Sequence, residues 1–368
     1  MPRSLLRWLI GLTGLLVLGG APQNAPAQST TATQDVWSAF IIAQGDQLHP
    51  VNSDRPAVYE NKVVYVVDDY EVHRYDLVAV QDLNTGETRV RAHELPGGTW
   101  ETDIYGDWVV SVHDSYPSYR ALHAFNLATD EHLVIDPGIE LENYYPAIDG
   151  NHIIWVQVDG CCSSDILLYD LTTRTITPIT TDGGANYEYE TDISGEWVVW
   201  YQGIYPEVDV MAYNLTTGER LPITDQPGPQ GQAHIDQNIV VWTDVVTLGY
   251  DADIMGYDLN TRQTFPVAVG PAWQGQPHLH DGFITWVQIW GLVDHDQIWG
   301  QDVGNSDSFL VYDECPPYNY DCPTNNGGPV SYGNLVVWIE STGPPEYDLI
   351  LRGARRLTQQ TFLPLTRH

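Results

Sequence analysis

The sequence predicts an all-β fold made of one four-stranded unit used seven times, and three observations carry that reading. Short apolar stretches recur at Val63–Tyr65, Val109–Ser111, Ile153–Trp155, Val198–Trp200, Ile239–Trp242, Ile284–Trp286 and Leu335–Trp338, and their last residues lie 46, 44, 45, 42, 44 and 52 positions apart. The same turn residues punctuate the segments between them, as in Asp149-Gly150-Asn151 and Asn84-Thr85-Gly86. Beyond the first 27 residues no stretch places apolar residues at helical spacing. Self-similarity at a fixed period of this length marks a supersecondary unit stacked on copies of itself.

The N-terminal segment comes first. Residues 1–27 have the composition of a secretory signal, with Arg3 and Arg7 as a basic start, Trp8–Leu18 as an apolar run and Ala25-Pro26-Ala27 as a small-x-small cleavage site. The alternative is an uncleaved anchor, but that run is too short to span a bilayer. Residues 28–38 read as a linker, 39–353 as the repeat body and 354–368 as a tail. Without residues 1–27 the chain loses two arginines and no acid, so its formal charge of −34 becomes −36. Lys62 is the sole lysine. Such acidity excludes nucleic acid and anionic membranes as partners and favours cations and basic surfaces. The expectation is a secreted or periplasmic monomer with no transmembrane anchor in the mature chain. Its partner is expected to be a protein or glycan outside the cytoplasm.

Within the body, the third repeat is typical. Tyr145–Asp149 is a first strand, Asp149-Gly150-Asn151 a tight turn, His152–Gln157 a second strand, Asp165–Tyr169 a third, Asp170–Arg174 a second turn and Thr175–Thr180 a fourth strand. All are short, rich in Val, Ile, Tyr and Trp, and bounded by turn formers. Four antiparallel strands per 45-residue unit describe a β-propeller blade. The last repeat has three strands, and Ala39–Gln44 has the look of a fourth strand that closes it. Gln359–Leu365 is the competing segment for that slot. Closure by either hides edges that an open sheet would expose.

Four cysteines sit in an oxidising compartment if the signal is used. Cys161 and Cys162 are adjacent, and Cys315 and Cys322 enclose a short loop. Two local disulfides are expected, although sequence does not set connectivity.

The face opposite the tight turns carries the variable loops, among them 113–119, 158–164, 203–207, 245–251, 291–296 and 313–328. Alignment of the first strands places Arg55, Glu101, Tyr145, Glu190, Gln232, Gln276 and Gly328 at one equivalent position. Two residues later come Ala57, Asp103, Ala147, Asp192, His234, His278 and Val330. Both sets are expected at the channel mouth. Trp100, Glu101, Asp103, Tyr145, Glu190, Gln232, Trp273 and Gln276 are the candidate ligand-binding residues. Asp192, His234 and His278 are candidate ligands for a divalent cation, calcium if the oxygens dominate and a transition metal if the imidazoles do. Aromatics in the blade links, including Tyr144, Tyr187, Tyr189, Tyr318 and Tyr320, suit sugar rings or a protein surface. Asp165, Asp209, Asp253 and Asp348, which open third strands, are expected to be structural.

The repeats resemble the TolB-like β-propeller family of secreted bacterial proteins, on Ile148-Asp149-Gly150-Asn151-His152-Ile153-Ile154-Trp155 and Asp253-Ile254-Met255-Gly256-Tyr257-Asp258-Leu259-Asn260-Thr261. That family includes periplasmic scaffolds, cell-surface proteins and a few sugar lyases that bind a metal with channel-mouth histidines. The resemblance invites that role for His234 and His278 by position alone. No nucleophile elbow, phosphate loop or HExxH motif is present. The expected function is non-catalytic binding of a protein or glycan. The alternative is a polysaccharide lyase or glycoside hydrolase using the mouth carboxylates and histidines.

Overall fold

Two kinds of tight turn, repeated along the chain, set the strands. The first is a two-residue hairpin loop such as Gly106-Asp107 or Gly150-Asn151. Its opening residue has φ of +63° at Gly106 and +59° at Gly150, the left-handed backbone that such loops require. The second reads Asp/Asn-Leu-x-Thr. Asp170 Oδ1 accepts the N–H groups of Thr172 (2.7 Å) and Thr173 (3.0 Å), and Asn214 Oδ1 those of Thr216 (3.1 Å) and Thr217 (2.8 Å). This is why a short polar side chain opens each turn. The leucine N–H then joins the two turns, from Leu171 to Asn151 O (2.8 Å) and from Leu215 to Glu196 O (2.7 Å).

The computed structural model describes residues 36–44, 51, 55–69, 75–92, 97–115, 119–136, 141–159, 163–181, 187–247, 251–289, 296–313, 324–341 and 349–357. The expected signal, the four cysteines, Tyr318, Tyr320, Asp348 and Gln359–Leu365 lie outside the described residues. Those described form strands and no helix.

The first strand is β1 (Val36–Gln44). Next come β2 (Ala57–Tyr59), β3 (Lys62–Asp69), β4 (Tyr75–Asp82) and β5 (Thr88–Ala92), hydrogen-bonded in that order. The same antiparallel meander recurs in β6 (Gly97–Tyr105), β7 (Trp108–Ser115), β8 (Tyr119–Asn126) and β9 (His132–Asp136). It recurs again in β10 (Glu142–Asp149), β11 (His152–Val158), β12 (Ser164–Asp170) and β13 (Thr175–Pro178), and in β14 (Tyr187–Ser194), β15 (Trp197–Ile204), β16 (Glu207–Asn214) and β17 (Arg220–Pro222). Two further groups are β18 (Gln230–Asp236), β19 (Ile239–Thr247), β20 (Asp251–Asp258), β21 (Gln263–Ala268), and β22 (Trp273–His280), β23 (Phe283–Ile289), β24 (Asp296–Asp302), β25 (Phe309–Tyr312). One parallel bridge, Ala252 to Trp273, links those two into a larger sheet.

The last group is β26 (Thr324–Tyr332), β27 (Leu335–Ser341) and β28 (Leu349–Leu357), with β1 as its outer strand. β1 pairs antiparallel with β28 from Val36–Leu357 to Gln44–Ile350. The two strands lengthen each other's ladder. Strand structure therefore begins at Val36 and ends at Leu357, three residues before and four residues after the expected edges at 39 and 353.

Each sheet packs on the next through an apolar seam. Val110 and Leu122 meet Ile153 and Trp155, and Ile154 and Ile166 meet Val198 and Trp200. Val63 and Tyr65 of β3 meet Val337 and Ile339 of β27, so the last sheet packs on the first. The second strands are buried on both faces, and Trp155, Trp200, Trp286 and Trp338 are fully buried. Each buried Val, Ile or Leu contributes about 1.5–3 kcal/mol. Four-stranded antiparallel sheets packed face to face around an axis make a propeller.

Candidate functional site at the axial cavity

The first strands pack on one another in ring order, β2 on β6, β6 on β10, and so on to β22 on β26 and β26 on β2. Together they line a cavity of about 370 Å³. Its wall includes Glu101, Asp103, Tyr145, Glu190, Asp192, Gln232, His234, Gln276 and His278. Nine of the eleven predicted ligand-binding and metal-binding residues thus meet here. Trp100 and Trp273 do not line it. Trp100 lies beside the Arg120 guanidinium (5.9 Å to the ring), and Trp273 packs on the apolar seam of β23 and β24.

A repeated bulge aims these side chains. Glu101, Tyr145, Glu190, Gln232 and Gln276 all have positive φ, +46°, +52°, +29°, +54° and +54°. At each the ladder to the second strand shifts register. A non-glycine residue in this region costs about 1–2 kcal/mol. The bulge also takes a backbone N–H out of the ladder, and the preceding blade accepts it. Glu101 Oε2 takes the N–H of Tyr145, and Gln232 Oε1 takes that of Gln276 (3.0 Å) and the Thr243 hydroxyl (2.9 Å).

A second tier of ties lies two residues on. Asp103 accepts the N–H groups of Ile104 (2.8 Å) and Ile148 (2.8 Å). Asp192 accepts those of Ile193 (2.8 Å) and Ile235 (2.9 Å). His278 Nδ1 accepts the N–H of Ser331 (3.1 Å). A third tier sits at the hairpin loops, where Asp149 takes Gly195 N–H (2.6 Å), Asp236 takes Asp281 N–H (2.6 Å) and His280 takes Gly333 N–H (3.1 Å). Each of these links between blades runs from a first-strand side chain to the next blade's backbone, while Thr191 Oγ1 donates the other way, to Tyr145 O (2.7 Å). The acids that open third strands are also tied: Asp209 to the Thr224 hydroxyl (3.1 Å) and Asp253 to Gly270 N–H (3.1 Å).

Arg55, absent from the predicted ligand set, crosses the axis. From just before β2 its Nη1 meets His234 Nε2 on β18, and its Nη2 reaches the carbonyls of Pro277 (3.3 Å) and Pro329 (3.4 Å). Because Nε2 accepts from Arg55, the His234 proton sits on Nδ1 and is donated to Asp192 (3.0 Å). Burial and the nearby guanidinium hold His234 and His278 well below the usual histidine range, so both are neutral. Burial pushes Asp103 up to about 7 and Asp192 to about 6, despite their backbone donors. Burial also raises Glu190, opposed by Arg55 and the Tyr201 hydroxyl.

The residues of the expected metal set meet Arg55 at the axis. Asp192, His234 and His278 do come together, and the two imidazole centroids are 5.2 Å apart. But Arg55 occupies His234 Nε2, and Ser331 N–H occupies His278 Nδ1, which leaves the His278 proton on Nε2. Both carboxylate oxygens of Asp192 already serve amides. Among the described residues no three His, Cys, Asp or Glu side chains are arranged to hold a metal ion. The Arg55 guanidinium is bonded to one of the three expected ligands, His234.

Arg55 stood at the position aligned with Glu101, which marked its place at the mouth but not its reach. A second signal was the proline that follows the aligned residue in Arg55-Pro56, Tyr145-Pro146, Gln276-Pro277 and Gly328-Pro329. Proline has no N–H to give the ladder and is tolerated at bulges.

No family model matches the chain, and no curated protein does. Solved structures do. The β-propeller domain of the Trilobed protease of Pyrococcus furiosus matches 86% of this chain and 99% of its own, with a TM-score of 0.63 and 10% identity. An oligogalacturonate lyase in complex with manganese matches 88% and 97%, with a TM-score of 0.59 and 12% identity. TolB of Acinetobacter baumannii matches 67% of this chain, which spans 62% of TolB's length, at a TM-score of 0.48 and 13% identity. At these identities the likeness to the first two establishes the β-propeller fold and nothing about activity. Among the described residues no helix is long and apolar enough to cross a membrane.

Proposed function

We propose that this chain is a non-catalytic, seven-bladed propeller of the TolB-like kind, working outside the cytoplasm. It binds a protein or glycan partner through the face of the second-to-third loops and the mouth of the axial cavity. One observation supports this above others: most groups that could do acid–base chemistry at the axis are spent on holding blades together. Asp103, Asp192, His234 and His278 each serve a backbone amide, an imidazole or Arg55. The mouth side chains Glu190 and Tyr145, with Tyr144, Tyr187, Tyr189 and Tyr201 beside them, form an aromatic and acidic rim. Tyr189 stacks on Tyr201 at 5.3 Å, and Tyr144 lies 6.0 Å from Tyr145. Half-buried tyrosines with polar tips are the usual material of binding surfaces.

A glycan array and pull-downs from extracellular extract, run with the wild type and with Tyr145→Ala, test the reading. Saturable binding that Tyr145→Ala weakens is expected. Absence of any ligand together with measurable turnover of a polysaccharide would overturn it.

The second reading is a carbohydrate-active enzyme. It is favoured by Asp103, whose carboxyl stays largely protonated to about 7, as a general acid requires. It requires turnover that Asp103→Asn abolishes in a protein that still folds.

A further inference from the structure

Each four-stranded group ends in an outer strand whose far edge meets no further described strand. Such an edge is a template for another chain, and proteins discourage pairing there with charge, proline or shortness. β5 holds Arg89 and Arg91, β9 holds Asp136, and β17 holds Arg220 and Pro222. β13 and β21 contain Pro178 and Pro266, and β25 has only four residues. β1 has none of these devices. It runs nine residues without a charge or a proline. Its stretch Val36–Ile41 keeps an unbroken register ahead of the shift at Ile41/Ala43 and has the composition of segments that pair with their own copies.

Side chains hold β1 from both faces and leave that edge open. Trp37 stacks on Phe283 (5.6 Å) and Phe309 (6.2 Å), while Phe40 and Ile42 join the seam with Val63 and Tyr65. Val36 and Ile41 remain 46% and 51% exposed. Every second residue of an edge strand turns its N–H and C=O away from its one neighbour. Among the described residues nothing pairs with those groups, so β1 presents a fixed row of donors and acceptors with little ordering cost left to meet.

Charge selects the occupant. The chain carries −34 overall, so its copies repel one another. That repulsion is relieved at this edge, because β1 is uncharged and β28 beside it carries Arg352, Arg355 and Arg356 and no acid. A basic partner is drawn to the acidic surfaces instead. An uncharged strand also meets its own copy without opposing like charges in any register. We propose that β1 pairs antiparallel with β1 of a second copy of this chain, making a two-fold dimer edge to edge. Two copies of one strand related by a two-fold run antiparallel, and the pairing uses up the edge that allows it, so assembly closes at two. The dimer replaces the monomer that the sequence suggested, and it is independent of any ligand at the cavity mouth.

Sedimentation equilibrium of the full chain from about 1 to about 100 µM tests this, with hydrogen exchange read at both ends of that range. An edge pair is smaller than a standard interface, so dissociation on the order of micromolar is expected. The β1 amides that face away from β28 should exchange about tenfold more slowly at the high concentration than at the low one. Ser38→Lys together with Ile41→Lys puts like charges on both copies at exposed positions and should weaken the dimer about tenfold or more. Val134→Lys, at a residue of β9 that is 54% exposed, should leave it intact. Should the double variant fail to fold, exchange in the wild type still decides. A monomer throughout the range overturns the proposal, as does a dimer that the double variant leaves unchanged or that Val134→Lys weakens equally. Protection of β1 at every concentration without a dimer also overturns it and gives the edge to a segment of the same chain, with Gln359–Leu365 as the one to delete.

Discussion

Gln232→Met isolates a single tie between blades. The two side chains are close in volume, so the substitution removes an acceptor and little packing. In the wild type, Gln232 Oε1 accepts the Gln276 N–H at 3.0 Å and the Thr243 hydroxyl at 2.9 Å. Thr243 is 4% exposed and has no other route to water, whereas the Gln276 amide faces the cavity. Orphaning a buried polar group costs about 1–3 kcal/mol. With cavity water relieving part of the Gln276 term, the loss should be about 2–4 kcal/mol. For a domain of this length 1 kcal/mol moves the melting temperature by about 1–2 °C, so a drop of about 2–8 °C is expected. Hydrogen exchange gives a local readout, since the Gln276 amide should exchange about tenfold faster or more. Gln232→Glu keeps an acceptor oxygen and should preserve that protection. A Gln232→Met protein with unchanged melting and unchanged Gln276 exchange would refute the tie. Equal losses from Met and Glu would show that something other than the acceptor matters.

Two pH effects of opposite sign follow from buried groups. The folded pKa of Asp103 is about 7, above its unfolded value, so the folded state binds the extra proton. Its contribution is complete below pH of about 4 and is lost as pH rises through about 7, a swing of about 2–4 kcal/mol. Chemical denaturation between pH 5 and 8 should show this slope, and Asp103→Asn should flatten it. An unaltered slope would assign it elsewhere. His123 goes the other way. Its folded pKa is about 3, depressed first by burial and then by His132 and His113, and its Nδ1 meets His132 Nε2 at 2.8 Å. Stability is present above about 6.5 and falls as pH drops toward 3. His123→Phe should move the acid unfolding midpoint to lower pH, and a midpoint that stays put would refute the assignment.

The period, the turns and the closing strand were legible because they are local. A hairpin loop needs its left-handed residue and an Asx turn its short oxygen, wherever the chain sits. The offset from each turn then carried Glu101, Tyr145, Glu190, Gln232 and Gln276 to one ring. The bulge at that ring was not legible. Left-handed backbone is ordinarily signalled by glycine, and here Glu, Tyr and Gln adopt it. Nor could register reveal that Arg55, just before β2, is long enough to reach β18. That one contact ties His234, one of the expected metal ligands, to Arg55. Asp192, His234 and His278 had the composition of ligands, and composition alone does not say which lone pairs are already spent.

Several of the scarce cations share one placement. The chain has a formal charge of −34, and these few cations reach across a seam to the neighbouring blade. Lys62 reaches Asp107 at 2.9 Å, Arg174 reaches Glu131 at 2.6 Å, Arg262 reaches Glu219 at 2.9 Å and Arg356 reaches Asp302 at 2.8 Å. Arg355 crosses from the last blade to Asn61 of the first at 2.8 Å. Each such pair is individually weak, because water and salt screen it. Their placement is what counts, since every one lies across a seam. Arg55 does the same for the axis, reaching β18, β22 and β26 from just before β2. Arg89 with Glu87 and Arg352 with Glu340 pair inside one blade instead, so it is the cations near a blade edge that bridge a joint, and Arg55 extends that placement to the axis, where Glu190, Asp192 and Asp103 surround it.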